Sequence, residues 1–324
     1  MVVWTACRVK FDEPLPPKGA EVTCVDTTCK WGVSAEMTFG PIVLLVAAIL
    51  IFLGLAVWLG ARIRRKRTAR AAATQEFPAK WDRLLGSAFP LYRRIPTEVR
   101  DPLRRQMLAF MADKNFEACG GLEEVSDEMK LLVAVQACLL VWDDPRVPPY
   151  PELRSILFYP STFRHSADLQ FASDDEGVLL EEGSSPMLGE SWDSGSVVLS
   201  WESVRRGGSN VEDGMNVVIH EFAHQLDQEA GSADGLPRLR TVAEHREWAE
   251  AFGAAWEKFT ARVHHRRDLV LDPYGATNPA EFFAVASETF FEKARQLRES
   301  YPEVYEQLAH FYRLDPAEWR RIVT

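Results

Sequence analysis

A run of twenty residues without an ionisable side chain, at positions 41–60, constrains this chain more than any other feature of its sequence. As a helix rising about 1.5 Å per residue, the run is about 30 Å long, which matches the hydrocarbon core of a bilayer. A buried helix of a soluble protein is usually shorter and carries a polar stripe. A cleaved signal peptide has a shorter apolar part, and its basic residues come first. The run therefore predicts one transmembrane helix at residues 41–60.

Basic residues directly after this run predict its orientation. Six of the 37 lysines and arginines lie between residues 61 and 70. Because cytoplasmic flanks carry an excess of basic residues, residues 61–324 are expected in the cytoplasm, with a single-pass anchor in the inner (plasma) membrane. Residues 1–40 then form an extracytoplasmic tail, unless translation begins at Met37. The chain carries a formal charge of −10, which argues against direct binding of nucleic acid.

The hydrophobic pattern divides the cytoplasmic part into three predicted segments. Residues 61–78 resemble a basic, alanine-rich linker, and residues 79–150 a helical region whose stretch 129–142 is apolar nearly all round and should be a covered central helix. Residues 151–324 combine short β-rich runs with a later return to helical spacing, which predicts an α+β domain. The predicted strands lie at residues 155–159, 177–180 and 196–201.

The residues VVIHEFAHQLD, at positions 217–227, contain an H-E-x-x-H motif in an apolar helical frame. Positions four apart share one helix face, so the imidazoles of His220 and His224 can bind one metal ion. Glu221 projects beside them, where it can take a proton from an attacking water. A chance match is rare in a chain with 7 histidines, and a buried pair of histidines needs partners. The motif predicts a zinc site with Glu221 as general base.

The motif leaves the third ligand open. Asp227 lies too far along a straight helix, and we interpret it as orienting a histidine or as part of the helix exit. His245 has charged neighbours that are typical of a wet surface. Asn278 begins a further helix, in which Glu281 is either a ligand or the return half of a capping box. Glu288, two turns later on the same face, is the competing ligand.

At these residues the chain resembles the Mlc titration factor A family of zinc peptidases, from about residue 80 to residue 316. The resemblance is more specific than the five-residue motif because it extends over several separate segments. These segments are GGLEEVSDEMKLLVAVQACLL (120–140), MLGESWDSGSVVLSW (187–201), VVIHEFAHQLD (217–227), ADG (233–235) and LDPYGATNPAEFFAVASETFF (271–291).

The resemblance implies a zincin-like fold of the glutamate-ligand type, similar to the catalytic domain of anthrax lethal factor. Its elements would be the motif helix, a small mixed sheet and a glutamate-bearing helix, preceded by the helical region and the transmembrane helix. It also implies His220, His224 and Glu281 as ligands of Zn²⁺, with Glu221 as general base. Tyr274 would then lie beside the metal and help to hold the oxyanion.

The expected function is a membrane-anchored zinc metallopeptidase that hydrolyses peptide bonds in a peptide or protein substrate. Endopeptidase and aminopeptidase types both remain open. The alternative that the resemblance implies is a regulatory binding protein, which sequesters a transcriptional repressor with little or no proteolysis. In the peptidase, residues 196–201 are either the edge strand along which an extended peptide pairs or an internal strand.

Overall fold

The computed structural model describes residues 21–25, 28–32, 40–144, 146–161, 189–192, 195–231, 233–263 and 270–319. The chain forms two compact units, Met1–Ala61 and Arg62–Thr324. In the first unit, strand β1 (Glu21–Val25) pairs antiparallel with strand β2 (Thr28–Gly32). The described residues of the second unit are mostly helical and include a small sheet.

Helix α1 (Gly40–Ala73) is thirty-four residues long and begins with the apolar run. The side chains of residues 43–60 are exposed, and the helix is long and apolar enough to cross a membrane. The structure corrects the prediction for residues 61–78, because the helix continues through most of that predicted linker. Arginine, lysine and alanine are strong helix formers, and neither glycine nor proline interrupts residues 61–73.

The last turns of α1 pack within the second unit. Arg65 Nε lies 2.7 Å from Asp113 Oδ1, in an ion pair whose carboxylate is fully buried. Arg65 Nη2 also donates to the carbonyl oxygen of Pro151 at 3.0 Å. The second oxygen of Asp113 pairs with buried Lys114 at 2.7 Å, and Ala69 is fully buried one turn after Arg65. The second unit therefore includes the part of α1 that follows the apolar run.

Arg65→Ala is expected to lower the free energy of unfolding by about 2 kcal/mol, because it removes a charged partner from a buried carboxylate. Denaturant unfolding of the detergent-solubilised chain measures this difference. Arg64→Ala is the matched control, since Arg64 lies on the exposed side of the same helix, and its cost should stay within about 0.5 kcal/mol. Equal losses in the two variants would contradict the role of Arg65.

Ten further helices follow α1 in the described part of the second unit. Two short 3-10 turns accompany them, at Pro273–Ala276 and Pro316–Glu318. The helices are α2 (Ala79–Ala88), α3 (Leu91–Arg94), α4 (Thr97–Asp113), α5 (Asp127–Leu139), α6 (Trp201–Ser209), α7 (Val217–Gln228), α8 (Val242–Val263), α9 (Pro279–Glu292), α10 (Ala294–Ser300) and α11 (Pro302–Tyr312).

The sheet of the second unit has the order β3-β4-β6-β5 in the residues described. Its strands are β3 (Asn115–Ala118), β4 (Ser155–Tyr159), β5 (Gly189–Trp192) and β6 (Ser196–Ser200). The first three strands in this order are parallel, and β5 runs antiparallel to β6. Strand β3 comes from the predicted helical region and pairs with β4, so the sheet joins residues from both sides of position 150.

The structure confirms the strand predicted at residues 155–159 and corrects the edge-strand prediction for residues 196–201. Strand β6 lies between β4 and β5, and Trp201 already begins α6, so the alternative of an internal strand is right. Alternation of apolar residues reports that a strand is buried but carries no information about which strand pairs with which. The strand predicted at residues 177–180 lies outside the described residues.

Helix α5 is the central helix that the sequence predicts. Every residue from 131 to 139 is buried, and α5 packs against α4, α6 and α7. Phe222 of α7 packs against Phe110 and Tyr150, whose ring centroids lie 5.8 and 4.9 Å from its own. Burial of one such side chain stabilises the fold by about 2–3 kcal/mol. This packing holds α7 between the central helix on one side and α9 on the other.

Candidate metal centre

Helix α7 begins at a polar cap and continues as a largely buried helix. The side chain of Asn216 accepts a hydrogen bond from the backbone N–H of Ile219 at 3.1 Å, which satisfies one free amide of the first turn. Apolar side chains such as Phe222 bury the helix in the core. Because positions four apart share one face, His220 and His224 lie side by side, with ring centroids 4.8 Å apart.

Helix α9 brings a carboxylate to the same place. The side chain of Asn278 accepts a hydrogen bond from the backbone N–H of Glu281 at 2.9 Å, and Pro279 occupies the first turn. Whereas the cap uses the backbone of Glu281, its carboxylate Oε2 lies 3.0 Å from His220 Nε2 and 3.3 Å from His224 Nε2. The structure thus brings Glu281 together with both histidines, as the ligand alternative requires.

The three donor atoms have the spacing of a metal-binding group. His220 Nε2 and His224 Nε2 are 3.2 Å apart, and among the described residues only these two side chains and Glu281 form a cluster that could hold a metal ion. Ligand atoms about 2.1 Å from a tetrahedral metal ion lie roughly 3.4 Å from one another, so the residues fit such an ion. The three side chains are 13–16% exposed, which leaves the cluster open to solvent on one side.

The charges of the cluster favour a cation. Burial lowers the pKa of His220, but hydrogen bonds to Glu281 and Glu288 outweigh this effect and raise that pKa well above its ordinary value. Burial likewise raises the pKa of Glu281, but hydrogen bonds from His220 and His224 outweigh it and lower the pKa to about 2. Carboxylates on both sides of the imidazole of His220 therefore stabilise positive charge at this position.

Glu221 is almost fully buried next to this cluster. Burial is the largest effect on its carboxyl group and raises its pKa to about 7, against the opposing influence of His220 and His224. A carboxylate with a pKa near neutrality can both accept and return a proton at physiological pH. Glu221 is not a member of the three-residue cluster, which leaves its carboxylate available for proton transfer.

Tyr274 lies next to the three-residue cluster. It belongs to a 3-10 turn whose first amides are capped by Asp272, since Asp272 Oδ1 accepts a hydrogen bond from the backbone N–H of Tyr274 at 2.8 Å. Its ring centroid is 6.0 Å from that of His220, and the residue is 45% exposed. Burial of the hydroxyl and the nearby charge of Glu281 raise its pKa, so the hydroxyl keeps its proton and can donate it in a hydrogen bond.

Residues 62–313 match the family described as Glucose-regulated metallo-peptidase M90. This chain belongs to the peptidase M90 family. The uncharacterized protein slr2042 of Synechocystis sp. is 35% identical over 240 residues, which cover 74% of this chain and 85% of that protein. Mlc titration factor A of Yersinia pestis (strain Pestoides F) is 37% identical over 177 residues, as is that of Yersinia pseudotuberculosis (serotype O:1b). This alignment spans 50% of this M90 family member and 58% of the Yersinia protein.

Two further residues that the sequence offers as candidate ligands lie outside the three-residue cluster of this M90 family member. Glu288, the competing ligand, lies 2.8 Å from His220 Nδ1, the ring nitrogen that faces away from the cluster. The Nδ1–H of His245 donates a hydrogen bond to the backbone carbonyl oxygen of Thr241 at 2.7 Å, and the residue lies outside the cluster. Sequence reasoning missed Asn216, whose backbone N–H donates to Glu288, and Glu292, which accepts a hydrogen bond from the side chain of Asn216. Glu292 follows Glu288 by one turn, so helical spacing could have revealed it.

Asp227 links the end of α7 to Gly235 through a hydrogen bond. It is fully buried, and its Oδ2 accepts a hydrogen bond from the backbone N–H of Gly235 at 2.8 Å, so the helix-exit interpretation agrees with this contact. Gly235 has φ +80°, and a side chain there would collide with the carbonyl oxygen of Pro279. Because Pro279 lies in the first turn of α9, this close approach positions the helix end that carries Glu281.

Gly235→Ala is expected to lower the free energy of unfolding by about 2–4 kcal/mol, through the collision with α9 and the left-handed backbone. It should also weaken metal binding, because the first turn of α9 must move. Gly231→Ala is the matched control: Gly231 has φ +111° but open space around it, so only the backbone cost of about 1–2 kcal/mol applies. Chemical unfolding and chelator competition measure both quantities. Unchanged metal affinity in Gly235→Ala would contradict the positional role.

Proposed function

We propose that this M90 family member is a membrane-anchored, zinc-dependent peptidase. The observation that carries the proposal is the convergence of His220 Nε2, His224 Nε2 and Glu281 Oε2 beside the buried carboxylate of Glu221. Within the proposal the second unit is a zincin-like domain of the glutamate-ligand type. The family is described as a metallopeptidase and not as an aminopeptidase, so the proposed reaction is peptide-bond hydrolysis that is not limited to the amino terminus of the substrate.

Zinc is the ion that this donor set suits best. Two imidazole nitrogens and one carboxylate oxygen are typical ligands of catalytic zinc, which keeps a fourth position open. A bound zinc ion supplies Lewis-acid polarisation of the scissile carbonyl and acidification of water. His220, His224 and Glu281 hold the ion in this proposal, and their partial exposure provides the open side at which a peptide arrives.

Proton transfer belongs to Glu221 and Tyr274. The carboxylate of Glu221 takes a proton from the attacking water and returns it to the nitrogen of the leaving amine. The hydroxyl of Tyr274 donates a hydrogen bond to the oxygen that gains negative charge at the scissile carbon. The short distance between the rings of Tyr274 and His220 and the exposure of Tyr274 support this role.

An extended peptide is the substrate that the sheet suits. In the described part of the chain, β5 occupies the edge of the sheet, and α7 lies next to it. A peptide can pair with a free edge through backbone hydrogen bonds and present its scissile bond to the neighbouring helix. This proposal takes the place of the edge-strand alternative for residues 196–201.

The proposed location is the inner (plasma) membrane, with α1 as a single-pass anchor and residues 62–324 in the cytoplasm. The exposed apolar part of α1 and the arginines that follow it support this orientation. The net charge of −10 suits a protein substrate or partner with basic character better than nucleic acid.

A second candidate function is the sequestration of a transcriptional repressor. The relatives from Yersinia carry the name Mlc titration factor A, and they align with half of this chain. We propose an Mlc-like repressor as a partner that the cytoplasmic unit binds. Repressor binding that survives Glu221→Gln would support sequestration independently of proteolysis, whereas absence of binding to the parent chain would reject it.

Elemental analysis and peptide turnover test the peptidase together. The full chain is purified in detergent, stripped with a chelator and titrated with zinc, while cleavage of a mixed peptide library is followed by mass spectrometry. One equivalent of zinc and turnover that disappears and returns with the metal are expected. A well-folded chain that retains no zinc and cleaves nothing would reject the proposal.

A further inference from the structure

His220 is held between two carboxylates of one helix. Its Nε2 lies 3.0 Å from Glu281 Oε2, and its Nδ1 lies 2.8 Å from Glu288 Oε1. Glu281 and Glu288 are seven residues apart in α9, which is about two turns, so both side chains leave the same face. One face of α9 thus contacts both ring nitrogens of His220.

Glu288 is itself fixed from a second direction. Its Oε2 accepts a hydrogen bond from the backbone N–H of Asn216, the residue that caps α7. The side chain of Asn216 donates to Glu292 Oε1 at 2.9 Å, and the backbone N–H of Gly214 donates to Glu292 Oε2 at 3.0 Å. All of these groups are buried, so the carboxylate of Glu288 has little freedom to leave the imidazole.

The two ring nitrogens must have different roles if His220 binds a metal ion. A neutral imidazole carries one proton, and only the nitrogen without it can bind a metal ion. A carboxylate beside Nδ1 accepts the N–H of that nitrogen and leaves the lone pair of Nε2 free. Glu288 occupies this position, whereas Glu281 lies on the side of Nε2.

We propose that Glu288 is a positioning residue, which orients His220 and selects the tautomer whose Nε2 faces the metal. This inference rests on the proposed zinc site and concerns how tightly that site binds. Glutamine at position 288 has one acceptor oxygen for two N–H donors, from His220 and Asn216. It therefore loses one hydrogen bond and the negative charge that stabilises the bound cation.

Glu292→Gln is the matched control. It makes the same chemical change one turn further along α9, and Glu292 also contacts Asn216 but has no contact with His220. A role of Glu288 that consisted only of holding the start of α7 would be shared by Glu292. A role in orienting the imidazole belongs to Glu288 alone.

The experiment measures the zinc dissociation constant of the full chain by competition with a chromophoric chelator. Glu288→Gln is expected to bind zinc about 10–100-fold more weakly than the parent, and Glu292→Gln within about threefold of it. Zinc affinity in Glu288→Gln equal to that of the parent would overturn the inference but leave the zinc site intact. Equal weakening in both variants would also overturn it, since the effect would then be structural. Absence of zinc binding in the parent would reject the proposed function as well.

A second measurement uses the parent and so does not depend on folding of the variant. In the nitrogen-15 spectrum of the zinc-loaded chain, His220 is expected to carry its proton on Nδ1 and the metal on Nε2. A zinc-loaded chain in which His220 binds the metal through Nδ1 would overturn the inference.

Discussion

Glu221→Gln is expected to lower kcat/KM for peptide hydrolysis by about 10³–10⁴-fold while the chain still binds one equivalent of zinc. Glutamine has nearly the same size but cannot accept a proton, so the loss isolates general-base catalysis. Zinc binding should persist because Glu221 is not among the three clustered donors. Steady-state turnover of a cleaved library peptide, together with elemental analysis, measures both quantities.

Glu250→Gln provides the control for Glu221→Gln. Its side chain is 72% exposed on α8, so the same change there should leave turnover and zinc content unaltered. Normal turnover in Glu221→Gln would refute its role as general base. Loss of zinc from Glu221→Gln would instead show that the buried carboxylate is needed to assemble the site.

Glu281→Gln is expected to abolish zinc retention and, with it, turnover. The loss of affinity should exceed the roughly 100-fold that partners outside the ligand set contribute. Glutamine at this position keeps the helix cap, because the cap uses the backbone N–H of residue 281 and because Gln serves a capping box as well as Glu does. The variant therefore separates a ligand from a capping residue, the two alternatives that the sequence leaves open.

Thermal unfolding with and without zinc measures the zinc binding of Glu281→Gln independently of turnover. Zinc that binds only the folded parent should raise its Tm with increasing concentration, and the Tm of Glu281→Gln should not respond. The metal-free variant should also be less stable than the metal-free parent, since it loses the contacts of Glu281 with both histidines. One equivalent of zinc retained by Glu281→Gln after dialysis would contradict the assignment.

Local rules explain which parts of the fold were predictable. The central helix α5, the motif helix α7 and the start of α9 at Asn278 all follow from periodicity and capping residues, which act over one or two turns. The strand at residues 155–159 follows from a short β-rich run between turn signals. The continuation of α1 to Ala73 follows from the helix propensity of arginine and alanine, which acts even where apolar periodicity is low.

Contacts between segments that are far apart in the chain account for the parts of the fold that the sequence did not predict. Strand β6 is internal because β5 pairs with its far side, and β3 joins the sheet from within the predicted helical region. A strand's own residues do not encode its neighbours, since pairing brings together segments that are far apart in the chain. The contact of Arg65 with buried Asp113, which makes the end of α1 part of the folded unit, is likewise a long-range interaction.

The sequence by itself determined the identity of the candidate chemistry, namely two histidines at i and i+4 with a glutamate between them, and it also determined an apolar helix long enough to cross a membrane. Helical geometry makes such spacing meaningful without any knowledge of the rest of the fold. Only the tertiary structure decided which ring nitrogen each carboxylate of α9 approaches, because that depends on how α9 crosses α7. Glu281 therefore lies with Nε2 in the cluster and Glu288 with Nδ1 behind it, a distinction of a few ångströms set by packing rather than by motif.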